Sequence, residues 1–206
     1  MKLKICGMKY GSNIEAVAAL QPDYMGFIFY EKSKRFVGES LDEEFLSSLD
    51  KNILKVGVLV NQTKEYILAK AKRYGLSVLQ LHGDESPEFC SALKNERYTL
   101  IKVFQADEHF DFAVIEPFKK TVDYFLFDTK SEGYGGTGKK FDWSLFEKYD
   151  NEIPIFLSGG IDPESIDEIK KLKHLNIHAL DINSKFETEP ALKDIEKIKK
   201  FIHRIR

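Results

Sequence analysis

The stretch that decides the fold is Leu3-Lys4-Ile5-Cys6-Gly7, a short apolar strand that ends on a thiol and turns on a glycine. Downstream, the chain repeats a unit of one short apolar strand followed by one amphipathic helix, and eight such units can be counted. This alternation favours a parallel sheet, and eight units with nothing left over favour a closed ring. The sequence therefore predicts an α/β fold, a single (β/α)8 TIM barrel in one domain over residues 1–206. Cys6 would then lie at the carboxyl end of the first strand, where such barrels carry their chemistry.

Composition excludes several classes of protein. The 206 residues are 43% apolar and 31% charged, with a formal net charge of −2. A disordered chain is excluded, and no basic excess indicates nucleic acid or an anionic membrane as a partner. No apolar run has the length of a signal-peptide core or a membrane span, so we expect a cytoplasmic protein. The two cysteines are too few for a disulfide framework and lack metal-ligand spacing with the five histidines, so we expect free thiols and no metal.

Local signals predict where the helices begin. Ser12-Asn13-Ile14-Glu15 has the pattern of a capping box, and Ser86-Pro87 has the pattern of a cap followed by the first helical residue. Further helices are predicted over residues 108–118 and 142–149, from Asp162-Pro163, and from Pro190 to the end of the chain. An open, flavodoxin-like sheet of five or six strands is the alternative architecture.

Two glycine-rich stretches suggest an anion site. Gly159 and Gly160 lie between the seventh strand and its helix, where unhindered backbone amides bind phosphate in many barrels. The stretch Gly133-Tyr134-Gly135-Gly136-Thr137-Gly138-Lys139 lacks the glycine spacing of a Walker motif and suits a lid that folds over an anion. A tight turn and a merely flexible loop are the respective alternatives.

Asp128 stands at the end of an otherwise apolar strand, so its carboxyl would be desolvated and could donate a proton. Taken singly, Asp128 is better read as a loop cap and Cys6 as a packing residue. The pair is more informative, because the first and sixth strands of a barrel direct their ends into one mouth.

Motifs throughout the chain point to a family. They are Lys4-Ile5-Cys6-Gly7, Met25-Gly26-Phe27-Ile28-Phe29, Lys32-Ser33-Lys34-Arg35-Phe36-Val37, Val56-Gly57-Val58-Leu59-Val60-Asn61, Leu79-Gln80-Leu81-His82-Gly83, Phe127-Asp128-Thr129, Gly135-Gly136-Thr137-Gly138-Lys139-Lys140-Phe141-Asp142-Trp143 and Leu157-Ser158-Gly159-Gly160-Ile161. Each is modest alone. In this order and at these spacings, over essentially the whole chain, they resemble the phosphoribosylanthranilate isomerase family of tryptophan biosynthesis.

The resemblance implies an Amadori rearrangement, an aldose-to-ketose isomerisation of N-(5-phosphoribosyl)anthranilate. By analogy Asp128 is the general acid that protonates the ribose ring oxygen, and Cys6, as a thiolate, is the general base that removes the proton from C2′. No cofactor or metal is implied. The partner would be a small phosphorylated substrate, and the protein would be a monomer or a homodimer.

The resemblance also implies binding residues. Arg35, His82 and Asp181 would bind the substrate, Arg35 at the anthranilate and Asp181 near its amine. The phosphate would be bound by Gly136, Gly159, Gly160, Asn183 and Ser184. After the eighth strand the chain departs from the family, with Asn183 in place of a serine, Lys185 in place of a glycine and Ala191 in place of a glycine.

Three alternative functions stay open. The histidine-pathway isomerase uses a carboxylate, and indole-glycerol-phosphate synthase a lysine, where this chain has Cys6. The third is a phosphate-binding barrel that has lost its chemistry through the altered loop after strand eight.

Overall fold

Strands close into a barrel in the computed structural model, which describes residues 1–38, 41–129 and 143–206. Over these ranges the barrel has eight parallel strands in sequential order, each paired with its chain neighbours. The eight are β1 (Lys2–Ile5), β2 (Tyr24–Ile28), β3 (Leu54–Leu59), β4 (Val78–Leu81), β5 (Thr99–Ala106), β6 (Tyr124–Thr129), β7 (Ile155–Leu157) and β8 (Ile177–Ile182). The predicted barrel is confirmed, and the open sheet is wrong because β1 pairs with β8 as well as with β2.

Helices surround the barrel, and two more strands follow it. The α-helices of the described residues are α1 (Gly11–Ala18), α2 (Glu43–Ser48), α3 (Lys64–Tyr74), α4 (Pro87–Lys94), α5 (Ile166–Ile169) and α6 (Ile195–Ile205). Short 3₁₀ helices cover Phe112–Phe118, Trp143–Lys148 and Ser184–Phe186. After the barrel, β9 (Glu187–Glu189) and β10 (Leu192–Lys193) form a small antiparallel pair, which we call the C-terminal hairpin.

One of the predicted helix starts is confirmed by its cap. The Ser86 side chain accepts from the amide of Phe89, with Pro87 at the first helical position. Gly75 ends α3 in the left-handed conformation, with φ of 59°. These starts and stops follow from local hydrogen bonding and backbone geometry, which the sequence carries directly.

Other predicted helices are wrong in position or type. The capping box does not form: α1 begins at Gly11, and its N-cap residue makes no side-chain cap bond. The seventh helix begins at Ile166 rather than at Asp162-Pro163, because Asp162 closes a turn by accepting from Ser165 Oγ at 2.6 Å. The last helix begins at Ile195 rather than Pro190, because the residues before it form the C-terminal hairpin.

Two further helices are 3₁₀ helices. In Phe112–Phe118, Pro117 supplies no amide donor, and Asp111 accepts from the amide of Ala113, so the segment starts later than residue 108. The segment after β6 that was predicted as 142–149 is a 3₁₀ helix over Trp143–Lys148.

The barrel interior has an apolar lower layer and a polar upper layer. The lower layer consists of Tyr24, Val56, Val78, Ile101, Val103, Leu126, Phe156 and Ala179. Successive side chains of a strand alternate between its two faces, so positions two residues further on point inward again. On five strands these positions are polar: Gln80, Gln105, Asp128, Ser158 and Asp181. The fold therefore gathers polar groups at the carboxyl ends of the strands, which we call the mouth.

Candidate active site

Cys6 directly follows β1 and lies almost fully buried at the mouth, with 4% of its surface exposed. Its amide donates to the carbonyl of Ile182 on β8 at 2.9 Å. A Cβ built on Gly26 of the neighbouring strand β2 would stand 2.9 Å from Cys6 Sγ, closer than side chains tolerate. Gly26 therefore leaves the space that the thiol occupies.

A buried ion pair lies beneath the thiol. Lys4 precedes Cys6 by two residues, so both side chains share the inner face of β1. The register pairs Lys4 with Asp181 on β8, and Lys4 Nζ lies 2.8 Å from Asp181 Oδ1 with 0% and 9% of the two side chains exposed. Burial raises the pKa of Asp181 although Lys4 opposes the rise. Burial alone would lower the pKa of Lys4, but the charges of Asp181 and Cys6 outweigh it and raise the pKa.

The groups around Cys6 have opposing effects on the pKa of its thiol. Burial raises the pKa of the thiol, because a thiolate loses hydration in the barrel. Lys4 opposes this rise, Asp181 adds to it, and Lys193 opposes it. A thiolate is therefore supported by two buried cations but is disfavoured by the apolar surroundings.

Arg35 lies in the loop after β2 and forms a two-pronged ion pair with Glu187 of β9. Its Nε donates to Glu187 Oε1 at 2.9 Å, and its Nη2 donates to Oε2 at 2.7 Å. Burial alone would raise the pKa of Glu187, but the hydrogen bonds from Arg35 and the charge of Lys193 outweigh it and lower the pKa. Arg35 is thus held in place by the carboxylate of Glu187, which was not predicted as a site residue from the sequence.

Lys193 of the C-terminal hairpin belongs to the same group of charges. Its Nζ donates to Glu187 Oε1 at 2.5 Å and to Asn183 Oδ1 at 2.7 Å. The side-chain oxygen of Asn183, one of the predicted phosphate ligands, therefore already accepts a hydrogen bond from the protein. Phosphate contacts at this position would involve other atoms of Asn183.

His82 and Asp128 meet on the other side of the mouth. His82 Nε2 lies 3.6 Å from Asp128 Oδ2, slightly beyond hydrogen-bonding distance, and has no hydrogen-bond partner among the described residues. Burial, together with the charges of Lys102 and Lys4, lowers the pKa of His82 to about 4. His82 is therefore a neutral imidazole near pH 7. That the Asp128 carboxyl can donate a proton stays a prediction.

Gln80 precedes His82 by two residues, so both side chains lie on the inner face at β4. The sequence analysis did not identify Gln80 as a candidate site residue. Only 2% of its surface is exposed, and its Oε1 has no hydrogen-bond partner within the described ranges. An unpaired buried oxygen costs free energy unless a ligand or water satisfies it. A polar residue in the middle of the apolar strand Val78-Leu79-Gln80-Leu81 was the signal that could have found it.

The predicted phosphate residues follow β7 and β8, which are adjacent strands. Gly159 and Gly160 both have positive φ, of 87° and 71°. The turn before α5 separates them from its first residue, Ile166, so the expected helix N-terminus does not reach them. Ser184 begins the short 3₁₀ helix after β8. Gly136 and the proposed lid lie outside the described residues.

Of the two lysines that were missed, Lys4 had a signal in the sequence and Lys193 had none. Lys4 is a lysine inside the apolar strand that ends on Cys6. Lys193 falls in a segment that was predicted as helix, where a lysine is ordinarily solvated, and only the hairpin turns it inward.

As for metals, no group of three or more His, Cys, Asp or Glu that could hold an ion occurs in residues 1–38, 41–129 and 143–206. Nor does any helix in these ranges have the length and apolar character of a membrane span.

Titratable side chains at the carboxyl ends of the strands of a closed parallel barrel are typical of (β/α)8 enzymes. The family model for N-(5'phosphoribosyl)anthranilate (PRA) isomerase matches residues 3–204 of the chain. The chain therefore belongs to the N-(5'-phosphoribosyl)anthranilate isomerase family and is an isomerase. This match confirms the resemblance described from the sequence motifs.

Individual relatives agree with this assignment. The chain is 48% identical over 206 residues to the N-(5'-phosphoribosyl)anthranilate isomerase of Parabacteroides distasonis, covering 100% of this chain and 93% of the relative. A phosphoribosyl anthranilate isomerase crystallised with reduced 1-(o-carboxyphenylamino)-1-deoxyribulose 5-phosphate superposes with a TM-score of 0.84 at 30% identity, over 99% of this chain and 97% of that one. Monomers made from the dimeric enzyme of Thermotoga maritima superpose with a TM-score of 0.80 at 29% identity, over 99% and 97% of the two chains.

Proposed function

We propose that this chain isomerises N-(5-phosphoribosyl)anthranilate to 1-(2-carboxyphenylamino)-1-deoxyribulose 5-phosphate, with Cys6 as general base and Asp128 as general acid. The observation that carries the proposal is the position of these two groups. Cys6 follows β1 and Asp128 lies at the end of β6, so both lie at one mouth with two strands between them. A substrate lying across the mouth would have an acid on one side and a base on the other.

The reaction divides into two proton transfers. Asp128 donates a proton to the ring oxygen of the ribose, the ring opens, and an imine forms between C1′ and the aniline nitrogen. Conjugation with this imine acidifies the C2′ proton, so a base of modest strength is enough. Cys6 takes that proton, and the resulting enolamine tautomerises to the ketone.

These steps require opposite protonation states of the two groups. Asp128 acts when protonated and Cys6 when ionised, which is the usual division between two titratable groups at one site. The steps need only an acid and a base, so we propose that no metal or cofactor takes part.

Substrate binding is proposed to use the polar groups around this pair. Arg35, fixed by Glu187, presents a planar cation that can stack on the anthranilate ring and pair with its carboxylate. His82, neutral and buried, offers a ring nitrogen that has no partner among the described residues, and Asp181 would lie near the aniline nitrogen. Gly159 and Gly160, with Asn183 and Ser184, would face the phosphate, together with Gly136 of the proposed lid.

The pathway, the cellular location and the oligomeric state of the enzyme are proposed from the same family assignment. We infer a role in tryptophan biosynthesis and a cytoplasmic location. The substrate class is supported by the phosphorylated compound bound to the relative described above. A homodimer is suggested by the dimeric relative from Thermotoga maritima, and a monomer remains the alternative.

Activity of the purified chain tests the proposal. N-(5-phosphoribosyl)anthranilate is generated in situ, and loss of its anthranilate fluorescence is followed as the protein is added. We expect turnover by the wild type, and a fall of about 10² to 10⁴ in kcat for Asp128→Asn, because a positioned acid contributes that much. A chain that binds the substrate without consuming it would be the non-catalytic phosphate-binding barrel instead.

A further inference from the structure

The amino group of Lys193 lies beside the backbone next to the thiol. Its side chain is fully buried, with 0% exposed. A Cβ built on Gly7, the residue after Cys6, would stand 3.4 Å from Lys193 Nζ. Lys193 comes from the C-terminal hairpin, so the far end of the chain supplies a cation to the end of the first strand.

Asn13 of α1 holds the backbone of Lys193 in this position. Its Nδ2 donates to the carbonyl of Lys193 at 3.0 Å, and its Oδ1 accepts from the amide of Lys193 at 2.8 Å. Both groups are buried, where a paired amide gives directional constraint. The placement of the ammonium is therefore fixed from the backbone side as well as by Glu187 and Asn183.

The charges that face Cys6 do not balance. Lys4 on β1, Arg35 after β2, Asp181 on β8 and Lys193 on β10 interact with the thiol, and Glu187 on β9 pairs with Arg35 and Lys193. Lys4 is neutralised by Asp181, whereas Arg35 and Lys193 share the single carboxylate of Glu187. Within residues 1–38, 41–129 and 143–206, three cations of this cluster therefore face two carboxylates, and a buried excess charge is costly unless an anion completes it.

We propose that Lys193 is a positioning residue whose buried ammonium stabilises Cys6 as the thiolate. This rests on the proposed role of Cys6 as general base. The thiol proton leaves to solvent before turnover, and the C2′ proton replaces it on sulfur during turnover. The thiolate is the anion that brings the cluster to three positive and three negative charges.

The ionisation tendencies of the two groups agree with this arrangement. Burial raises the pKa of Cys6, and the charge of Lys193 works against that rise. Burial lowers the pKa of Lys193, and Glu187 and Cys6 work in the opposite direction. Each group thus favours the charged form of the other.

Titration of the Cys6 thiol tests the proposal without catalysis. The ultraviolet absorption of the thiolate is followed against pH in a Cys90→Ala background, with Cys6→Ala in that background as the blank. Lys193→Met removes the ammonium and still leaves Glu187 paired with Arg35. Lys193→Gln removes the charge but keeps a donor for Asn183, so it serves if the first variant fails to fold. Lys200→Met, which removes an exposed lysine of α6, is the matched control.

We expect both Lys193 variants to form the thiolate at a pH at least about one unit higher, and the acid limb of kcat/KM to move with it, a loss of about 10-fold on that limb. Lys200→Met should titrate like the parent. An unchanged titration in the Lys193 variants overturns the proposal, and a rise in KM alone would assign the lysine to the substrate's anionic groups. Activity retained in Cys6→Ala would refute the role of Cys6 as base and leave the titration result standing.

Discussion

His82 shows how burial at a single residue decides protonation. Burial, with the charges of Lys102 and Lys4, lowers its pKa from 6.5 to about 4. The unfolded chain therefore binds a proton at this residue at higher pH than the folded chain does. The contribution of His82 to the free energy of unfolding is fully present above about pH 6.5. It is lost as the pH falls toward 4.

We predict that His82→Gln removes part of the acid sensitivity of the fold. Between about pH 7 and pH 5 the shift of His82 should lower the free energy of unfolding by about 2 kcal/mol in the wild type, and the variant should lack that part. Urea titrations at the two pH values measure it. His109→Gln changes an imidazole that is 86% exposed and should keep the wild-type slope. Equal slopes in all three proteins would show that His82 titrates as in the unfolded chain.

Among the elements, α1 and the C-terminal hairpin are joined through Asn13. We predict that Asn13→Ala costs about 1 to 3 kcal/mol of stability, because two buried hydrogen bonds to Lys193 are lost. Chemical denaturation measures the loss, and hydrogen exchange at the amide of Lys193 should speed up.

Ser12→Ala, one position earlier on the same helix, is the control. Ser12 is exposed and makes no cap bond, so its loss should lie within about 0.5 kcal/mol. A loss of about 1 kcal/mol for Ser12→Ala would instead support the capping box expected from the sequence.

The seam between β1 and β8 carries a buried ion pair at a point where the barrel closes. Lys4 faces Asp181 directly across this seam. We predict that Lys4→Met costs about 3 to 5 kcal/mol, because it leaves a buried carboxylate without its cation. The double variant Lys4→Met with Asp181→Asn should recover part of the loss in the same urea assay. Lys2→Met, at the exposed start of β1, should be near neutral, and a loss there equal to that of Lys4→Met would argue against the pair as the cause.

At the scale of the whole molecule, strand order and barrel closure were predictable from the sequence. Each strand is a short, largely apolar run, as β8 shows at Ile177–Ile182. Such runs report burial on both faces, which is a property of a strand in a parallel sheet wherever it lies in the chain. The assignment of residues 1–206 to one domain stays a prediction.

Long-range pairing was not predictable in the same way. The sequence predicted one helix from Pro190, yet Glu187 and Lys193 belong to the C-terminal hairpin and turn toward Arg35 and Asn183. Lys4 and Gln80 are polar residues in apolar strands. Only the closed barrel shows that Lys4 pairs with Asp181 and that Gln80 Oε1 has no partner within the described ranges. The sequence thus predicted which strand ends carry candidate groups, but not the charged side chains of Lys4, Glu187 and Lys193 that surround them.

Cys6 and Cys90 allow the most direct test of the whole account. Both thiols are buried, but Cys90 lies in α4, where burial raises its pKa to about 11 and leaves it a packing residue. We predict that Cys6→Ala slows single-turnover loss of anthranilate fluorescence at least about 10²-fold with little change in substrate affinity, since a general base acts in the transition state. Cys90→Ala should turn over much like the wild type. Near-normal turnover by Cys6→Ala, with Asp128 intact, would contradict the assignment of Cys6 as the base.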